Sequence, residues 1–172
     1  DIKIVNIRDY AKDKHKTVDD TPYGGGSGMV MRADVIANSL DKNLDTQEKV
    51  YYLSPRGKLL NQEAVKKISK ESSLNILCGH FEGIDQRVLD SRKIEEISIG
   101  DYIISGGETA SYIVLDSVLR LIPGVLGNED SIVNESFENG LLEYPQYTKP
   151  QIWQKNKVPE VLLSGDHAKI KH

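Results

Sequence analysis

The amino-acid sequence predicts an α/β fold, in which helices flank a mostly parallel β-sheet. Signals for strands and helices alternate along the chain, which is typical of a sheet with helical crossovers. Residues 74–78 form a short apolar run, as expected for a strand that is covered on both faces. The longest helical pattern, residues 108–122, is followed by a Pro-Gly pair that stops it.

The first elements are a strand, a glycine-rich loop, a helix and a second strand. A pattern of Ile residues predicts a strand over residues 2–7, and the following loop contains Pro22 and four closely spaced glycines. Residues 33–44 have the periodicity of a helix. Residues 50–53 predict a strand that ends at the Ser-Pro-Arg-Gly turn signal of residues 54–57.

The remaining chain adds three helices and, besides the strand at residues 74–78, two further strands. Asn61 is a suitable N-cap for the first helix, whose inward-facing residues are Ala64, Val65 and Ile68. Residues 85–91 predict the second helix, and residues 95–97 and 102–104 predict the strands. The third helix, residues 108–122, has a predicted apolar face formed by Ile113, Leu115, Val118, Leu119 and Ile122.

Length and composition fit one globular domain. The chain has 172 residues, of which 38% are hydrophobic and 28% are charged, and this length is enough to bury a real core. No apolar run reaches the roughly 18 residues of a membrane helix, and the first residues lack the pattern of a secretory signal. A single cysteine, Cys78, excludes an internal disulfide. We therefore predict a cytoplasmic protein with no membrane span.

The charge balance does not by itself indicate a nucleic-acid partner. The formal net charge is −4 and the pI is about 5.6, whereas nucleic-acid-binding domains usually carry a basic excess. One local basic cluster fits a solvated loop as well as an RNA contact, and it consists of Lys12, Lys14, His15 and Lys16. His and Cys do not occur at ligand spacing, so no metal site is predicted.

Three loops at strand ends indicate a ligand pocket. Residues 52–57, 78–83 and 99–108 each contain glycine and lie at the end of a predicted strand. Ligands of open α/β sheets bind beyond the carboxyl ends of the strands, and glycines let a ligand approach the backbone closely. Each loop alone is compatible with a plain turn, but three at one sheet edge favour a pocket.

Familiar phosphate-binding and hydrolase motifs are absent from the sequence. Residues 24–28, GGGSG, lack the Lys-Ser/Thr of a Walker A loop and the spacing of a dinucleotide fingerprint. No G-x-S-x-G elbow is present. Cys78 follows an apolar strand and has no obvious His partner, so core packing is its expected role and nucleophilic catalysis the alternative.

Seven segments carry a resemblance to a known family. In chain order they are DDTPYGGGSGMVM (19–31), YYLSPRG (51–57), CGHFEGIDQRV (78–88), IGDYIISGGE (99–108), RLIPGVLGN (120–128), SFENGLLEYPQYTKP (136–150) and VPEVLLSGDH (158–167). Together they closely resemble the bacterial tRNA (guanine-N1)-methyltransferases, the TrmD family of the SPOUT superfamily. The resemblance extends from about residue 4 to residue 167.

This resemblance implies a fold, an activity and an assembly. Members of the family bind S-adenosylmethionine in an α/β domain with a C-terminal trefoil knot, an exception to the rule that chains are unknotted. They methylate N1 of guanosine 37 in tRNA, the base just 3′ of the anticodon. They act as homodimers whose active sites are shared between subunits, and the resemblance also suggests dependence on Mg²⁺.

The family pattern divides the sequence into three parts. Residues 1–127 correspond to the catalytic domain that binds S-adenosylmethionine, residues 128–138 to a flexible linker, and residues 139–172 to the start of a tRNA-binding C-terminal region. Both ends of the sequence fall inside regular patterns. We therefore expect an opening strand and helix, and the remainder of the C-terminal domain, to be missing from this sequence.

By this likeness, backbone groups hold the cofactor and a few side chains line its pocket. Tyr102 and Ile104 would be apolar walls, and ordinary strand core is the alternative, favoured for Ile103. Glu82 is alternatively a surface carboxylate, and His80 stands where the family usually has Arg. The predicted cofactor-binding residues are Tyr52, Leu53, Ser54, Pro55, Gly79, Glu82, Ile99, Gly100, Asp101, Tyr102, Ile103, Ile104, Gly106 and Gly107.

Methylation of guanine N1 needs a general base for the N1 proton and a cation for the charge that spreads to O6. In the family, a linker Asp and an Arg at the end of the long helix have these roles. Arg120 matches the Arg, and its alternative role is a cation favoured by the helix dipole. Glu135, before Ser136 and Phe137, occupies the Asp position with a side chain longer by about 1 Å. Asp130 is a second carboxylate in a different register.

Aromatic residues near and after the linker have two open interpretations. Phe137, Tyr144, Tyr147 and Trp153 either stack on bases of the anticodon loop or anchor their own segment. Lys149 contacts either phosphate or only solvent. Three rival functions also stay open: a SPOUT methyltransferase with another RNA target, a non-catalytic module that binds cofactor or RNA, and a nucleotide-binding regulatory domain.

Overall fold

The computed structural model describes residues 1–125, 142 and 144–170. The chain divides into two compact units, Asp1–Ile132 and Val133–His172. Across the residues so described, no helix has the length and apolar character needed to cross a bilayer. The predicted linker, residues 128–138, lies outside the described residues.

A parallel three-stranded sheet forms the centre of the first unit. A short antiparallel pair precedes it, β1 (Asp19–Asp20) with β2 (Val30–Met31). The sheet itself consists of β3 (Val50–Leu59), β4 (Asn75–Leu77) and β5 (Ile94–Ser98), in the order β4-β3-β5. Both neighbours run parallel to β3. The predicted parallel sheet is therefore confirmed.

Four helices cover this sheet, and sequence periodicity predicted all of them. They are α1 (Ala33–Asn43), α2 (Gln62–Ile68), α3 (Gln86–Ser91) and α4 (Gly107–Leu119). The predicted cap of α2 is present, because Asn61 Oδ1 accepts the Ala64 N–H at 2.9 Å. Asp85 caps α3 in the same way by accepting the Arg87 N–H at 2.9 Å.

Alternate residues of β3 face two separate hydrophobic clusters. Val50 and Tyr52 belong to the cluster that also contains residues of α1 and α3. Tyr51 and Leu53 belong to the cluster that contains residues of α2 and α4. This two-residue period is the normal alternation of a strand, and it gives a sheet with helices on both faces.

The strand predicted over residues 2–7 is wrong. A 3₁₀ helix covers Ile7–Tyr10 instead, and Ile2 and Ile4 are 80% and 91% exposed. The cause is local: Asn6 Oδ1 accepts the Arg8 N–H at 3.1 Å. A side chain that bonds to the backbone in this way competes with strand pairing.

The strand predicted over residues 102–104 is also wrong. These residues follow Gly100, which has a φ of +148°, and the Tyr102 N–H bonds to Gly100 O at 3.0 Å. Ile103 is 81% exposed. The segment has strand-like composition, but within the described part of the chain it pairs with no strand and forms a loop instead.

The strand that begins at Val50 does not end at the predicted turn. Its ladder with β5 is interrupted after Leu53 and resumes at Lys58, and both of these residues lie opposite Ile97. Residues 54–57 bulge out of the sheet between them. The return is possible because Gly57 packs directly on the backbone of β5, where a Cβ would lie 2.4 Å from Ile97 N.

The buried face of α4 differs from the predicted one. Gly107, Ala110, Val114 and Val118 are buried, whereas Ile113, Leu119 and Ile122 are 42%, 41% and 37% exposed. Of the predicted face, only Val118 is fully buried. The buried residues are small and four apart after Ala110, so the helix can lie close to the sheet. Larger apolar residues are consequently left on its outer side.

The second unit contains a hairpin and two short helices. Strands β6 (Ile152–Trp153) and β7 (Asn156–Lys157) pair through a two-residue turn. Both turn residues, Gln154 and Lys155, have positive φ, which matches the twist of a tight hairpin. Helices α5 (Glu160–Leu163) and α6 (His167–Ile170) follow.

Candidate functional site

Loops at the carboxyl edge of the sheet enclose one cavity of about 370 Å³. Its walls are the β3 bulge at residues 54–57, the loop after β4 at residues 79–84 and the segment after β5 at residues 99–107. We name this space the strand-end cavity. It lies where parallel α/β sheets bind their ligands, and its size falls in the normal range of small-molecule sites.

The strand-end cavity brings together thirteen of the fourteen residues predicted to bind a cofactor. These are Tyr52, Leu53, Ser54, Pro55, Gly79, Glu82, Ile99, Gly100, Tyr102, Ile103, Ile104, Gly106 and Gly107. Asp101 is exposed and does not line the cavity. Ile103, for which strand core was the favoured alternative, is 81% exposed and lies on a loop.

Several lining residues were not among the predicted cofactor-binding residues, although those within residues 52–57, 78–83 and 99–108 belong to the loops predicted to form the pocket. They are Arg56, His80, Phe81, Gly83, Ile84, Ile97, Ser98, Ser105 and Ala110. Most lie between or beside the predicted residues in the same loops, so loop continuity was the available signal. Ile97 and Ser98 are instead the last residues of β5, and only the sheet register places them beside the bulge.

Glycines allow the loops of the cavity to touch at backbone distance. A Cβ at Gly107 would lie 2.7 Å from Cys78 Cα and 2.8 Å from Gly79 N. The Gly107 N–H donates to Gly79 O at 2.9 Å. A Cβ at Gly79 would meet the Tyr52 ring at 2.7 Å. No other residue type fits at Gly79 or Gly107 without displacing a neighbour.

Tyr52 forms an apolar floor for the cavity. It is only 5% exposed, and burial raises the pKa of its phenol above the ordinary 10.0. The side chain is therefore neutral at physiological pH and is suited to contact an uncharged ring. It is not an acid or base for chemistry near pH 7.

One carboxylate, Glu82, lines the cavity, and a second, Glu108, follows the lining residue Gly107. Glu82 packs against Gly28, where a Cβ would lie 2.5 Å from Glu82 Oε1, and its N–H donates to Met29 O at 3.0 Å. The glycine-rich loop thus fixes the position of Glu82. Glu108, in the first turn of α4, lies 2.6 Å from His80 Nε2. Burial raises the pKa of Glu108, but the hydrogen bond from His80 and the backbone N–H outweigh burial and lower it below 4.5.

Cys78 is a packing residue in this structure. Burial is the largest influence on its thiol and raises the pKa above the ordinary 9.0. Because the thiolate is the nucleophilic form, a raised pKa opposes reactivity at neutral pH. This environment supports the expected role in core packing.

Of the two predicted catalytic residues, only Arg120 is described, and it is not among the residues that line the strand-end cavity. Arg120 follows α4 as its C-cap, and its N–H donates to Asp116 O at 3.2 Å. Glu135 lies outside the described residues, as do Asp130 and Phe137. Tyr144, Tyr147 and Trp153 belong to the second unit and are 70%, 51% and 62% exposed.

The described residues do not form a metal site. Within residues 1–125, 142 and 144–170, no group of three or more His, Cys, Asp or Glu side chains is arranged to hold an ion. No chemical step is assigned to a metal ion here.

Glycine-containing loops that meet around a cavity at the carboxyl edge of a parallel sheet define an α/β domain of the class that binds a small-molecule ligand at its strand ends. The chain is a member of the tRNA (guanine-1)-methyltransferase TrmD family, whose profile matches residues 1–172. The family predicted from the sequence motifs is thereby confirmed.

Similar proteins from several bacteria carry the name tRNA (guanine-N(1)-)-methyltransferase. The chain is 67% identical over 171 residues to the protein of Pelagibacter ubique, covering 99% of this chain and 75% of that one. It is 56% identical to the protein of a Wolbachia strain from Culex pipiens, covering 98% and 75%. It is 55% identical to the protein of Brucella canis, covering 96% and 68%.

Proposed function

We propose that this chain is an enzyme that transfers the methyl group of S-adenosylmethionine to N1 of guanosine 37 in tRNA. The family match over residues 1–172 carries this proposal. The strand-end cavity supports it, because three glycine-containing loops meet there and main-chain N–H and C=O groups of such loops can read an adenine edge. The cofactor-binding residues are proposed to be the thirteen lining residues named above, together with Asp101.

Two side chains are proposed to carry the chemistry. The Glu135 carboxylate accepts the N1 proton, and the Arg120 guanidinium stabilises the negative charge that spreads to O6. The N1 electron pair then forms the new bond to the methyl carbon as the carbon–sulfur bond breaks. The products are 1-methylguanosine in tRNA and S-adenosylhomocysteine, with the released proton on Glu135.

The activity is tested with radiolabelled S-adenosylmethionine and unmodified tRNA transcripts. We expect label in a transcript with G at position 37 and none in a matched transcript with A at that position. Equal labelling of both transcripts indicates another RNA target, and labelling of neither indicates a binding module. Calorimetry with ATP and NAD in place of S-adenosylmethionine tests the regulatory-domain alternative. Parallel reactions with Mg²⁺ and with EDTA test the metal dependence that the family suggests.

The catalytic residues are tested by substitution. Arg120→Ala should slow transfer by about 10²-fold or more, because a charge-stabilising group is lost in the transition state, while Arg120→Lys keeps the charge and should slow it less. Glu135→Gln should remove the base and nearly abolish transfer. Binding of S-adenosylhomocysteine should be unchanged in all three variants. Full turnover by Glu135→Gln would contradict its assignment.

We further propose a homodimer in which each active site uses both subunits. The outer side of α4 supports a second copy as its partner, because Tyr112, Ile113 and Leu119 are exposed there at 74%, 42% and 41%. Sedimentation should show a dimer for the wild type and a monomer for Tyr112→Glu. Lys42→Glu, on α1 at the other face of the sheet, is the matched control and should stay dimeric.

We also propose the remaining features of the family for this chain. They are a trefoil knot in the cofactor domain, a linker over residues 128–138 and a tRNA-binding region that starts at residue 139. A cytoplasmic location follows from the tRNA substrate.

A further inference from the structure

His80 and Glu108 form a side-chain pair at the strand-end cavity that has no part in the proton and methyl transfers described above. His80 Nε2 lies 2.6 Å from Glu108 Oε1. His80 belongs to the loop after β4, whereas Glu108 belongs to the first turn of α4. The pair therefore joins two of the loops that line the cavity.

The pair also bounds the turn that leads into α4. A Cβ at Gly106 would lie 2.8 Å from Glu108 Oε2 and 3.1 Å from His80 Cε1. At the next residue, the Gly107 N–H donates to Gly79 O at 2.9 Å. Gly106 and Gly107 are thus enclosed by one side-chain pair and one backbone hydrogen bond, and both contacts come from the same two loops.

We propose that His80 and Glu108 are positioning residues whose pair fixes the Gly106–Gly107 turn and so shapes the cavity wall that receives S-adenosylmethionine. This inference rests on the proposed function. Neither residue needs to contact the reacting atoms. Loss of the pair should consequently raise the KM for S-adenosylmethionine and leave kcat nearly unchanged.

An alternative is that the pair affects ligand binding through the charge of Glu108. Experiment can separate this alternative from positioning of the turn. If Glu108 acted directly on the ligand through its charge, freeing it from His80 would favour the cationic sulfonium of S-adenosylmethionine over the neutral thioether of S-adenosylhomocysteine. If the pair acts by positioning the turn, both ligands should lose affinity by the same factor, because both use the same wall.

The test measures binding of both ligands by calorimetry to the wild type, His80→Ala, Glu108→Ala, the double variant and His80→Arg. We expect each Ala variant to lower the affinity for both ligands about five-fold, the effect of losing one exposed side-chain hydrogen bond. The double variant should be no worse than either single variant. His80→Arg keeps a donor for the carboxylate and should restore most of the affinity.

The matched control is Lys67→Ala. Lys67 and Glu63 form an exposed ion pair at 2.7 Å within α2, away from the strand-end cavity, so this variant should bind like the wild type. Steady-state kinetics of the same variants should place the defect in KM, and thermal melts should show folded protein throughout.

Three results would overturn the inference. Unchanged binding by both Ala variants, or additive losses in the double variant, means that the pair does not act as a unit. A loss of affinity for only one of the two ligands means that the charge of Glu108, not the position of the turn, is responsible. Wild-type protein that binds neither ligand overturns the proposed function itself, whereas normal wild-type binding with insensitive variants overturns only this inference.

Discussion

Two groups of glycines in this protein are required for different physical reasons. Gly57 and Gly107 lie where another backbone passes at contact distance: a Cβ would meet Ile97 N at 2.4 Å and Cys78 Cα at 2.7 Å respectively. Gly24, Gly25 and Gly26 have positive φ values of +88°, +79° and +121°, and a Cβ on any of them would meet nothing within 4 Å. The first group is required by packing, and the second by backbone conformation.

This difference indicates which part of the site is rigid. The strand-end loops are held against one another by close backbone contact, so the cavity exists before a ligand arrives. The glycine-rich loop has open space around it and makes its close contact with the cavity at Gly28, against Glu82. Substitutions that probe sterics and conformation separately can test this division.

The largest effect is expected for Gly57→Ala. Three backbone atoms of Glu96 and Ile97 lie within 2.5 Å of the added carbon, and this backbone cannot move aside cheaply because β5 is hydrogen-bonded to β3 on both sides of the bulge. The free energy of unfolding should fall by about 3 kcal/mol, measured by urea denaturation. Lys58→Ala, an exposed neighbour in the same strand, is the control and should change it by less than about 0.5 kcal/mol.

Gly107→Ala should have the next largest effect. The added carbon would separate the loop after β4 from α4, but Ala also favours the helix by about 1 kcal/mol. A net loss of about 2 kcal/mol is expected, together with a clear loss of affinity for S-adenosylhomocysteine in calorimetry. Wild-type affinity in this variant would show that the contact between the loops does not shape the cavity.

A smaller effect is expected for Gly25→Ala. No atom obstructs the new side chain, so only the left-handed conformation is penalised, at about 1 kcal/mol. Gly25→Asn should be roughly half as damaging, because Asn tolerates positive φ. If thermal melts show Gly25→Ala to be as unstable as Gly57→Ala, the distinction between the two groups of glycines fails.

The smallest effect concerns the charge of Glu108. Its folded pKa is below 4.5, so the carboxylate contributes stability above that pH and loses it as the pH falls through the folded pKa. Glu108→Gln should be less stable than the wild type at pH 7, by at most about 1 kcal/mol for so exposed a pair. The difference should shrink in melts as the pH falls below 4.5 and through the folded pKa of Glu108. In a His80→Ala background, the same comparison should show little pH dependence.

Periodicity was a good guide to elements whose partners lie nearby in the fold. The cap at Asn61 and the stripe of Val65 and Ile68 predicted α2, and the apolar run of residues 74–78 predicted β4. Strand prediction failed at residues 2–7 and 102–104. Composition there is apolar and β-branched, but a strand needs a neighbour, and sequence alone does not show whether one is present.

The position of the candidate site could be predicted from the sequence, but the contacts between its side chains could not. Glycine-containing loops at strand ends were visible in the sequence, and the family motifs ran through them. The pairing of His80 with Glu108 was not predictable, because 27 intervening residues form a helix and a strand before the two loops meet. The burial of Ala110 in place of Ile113 was also hidden, since it depends on how closely α4 approaches the sheet.

The bulge of β3 between Leu53 and Lys58 limits which sequence changes this wall of the strand-end cavity can accept. Pairing between β3 and β5 stops at Leu53 and resumes at Lys58, and both residues lie opposite Ile97. The bulge therefore needs a fixed number of residues. Deleting a single residue from it would turn every later side chain of the strand to the opposite face. Homologues and engineered variants should therefore differ here by replacement, and length changes should be tolerated in the open glycine-rich loop instead.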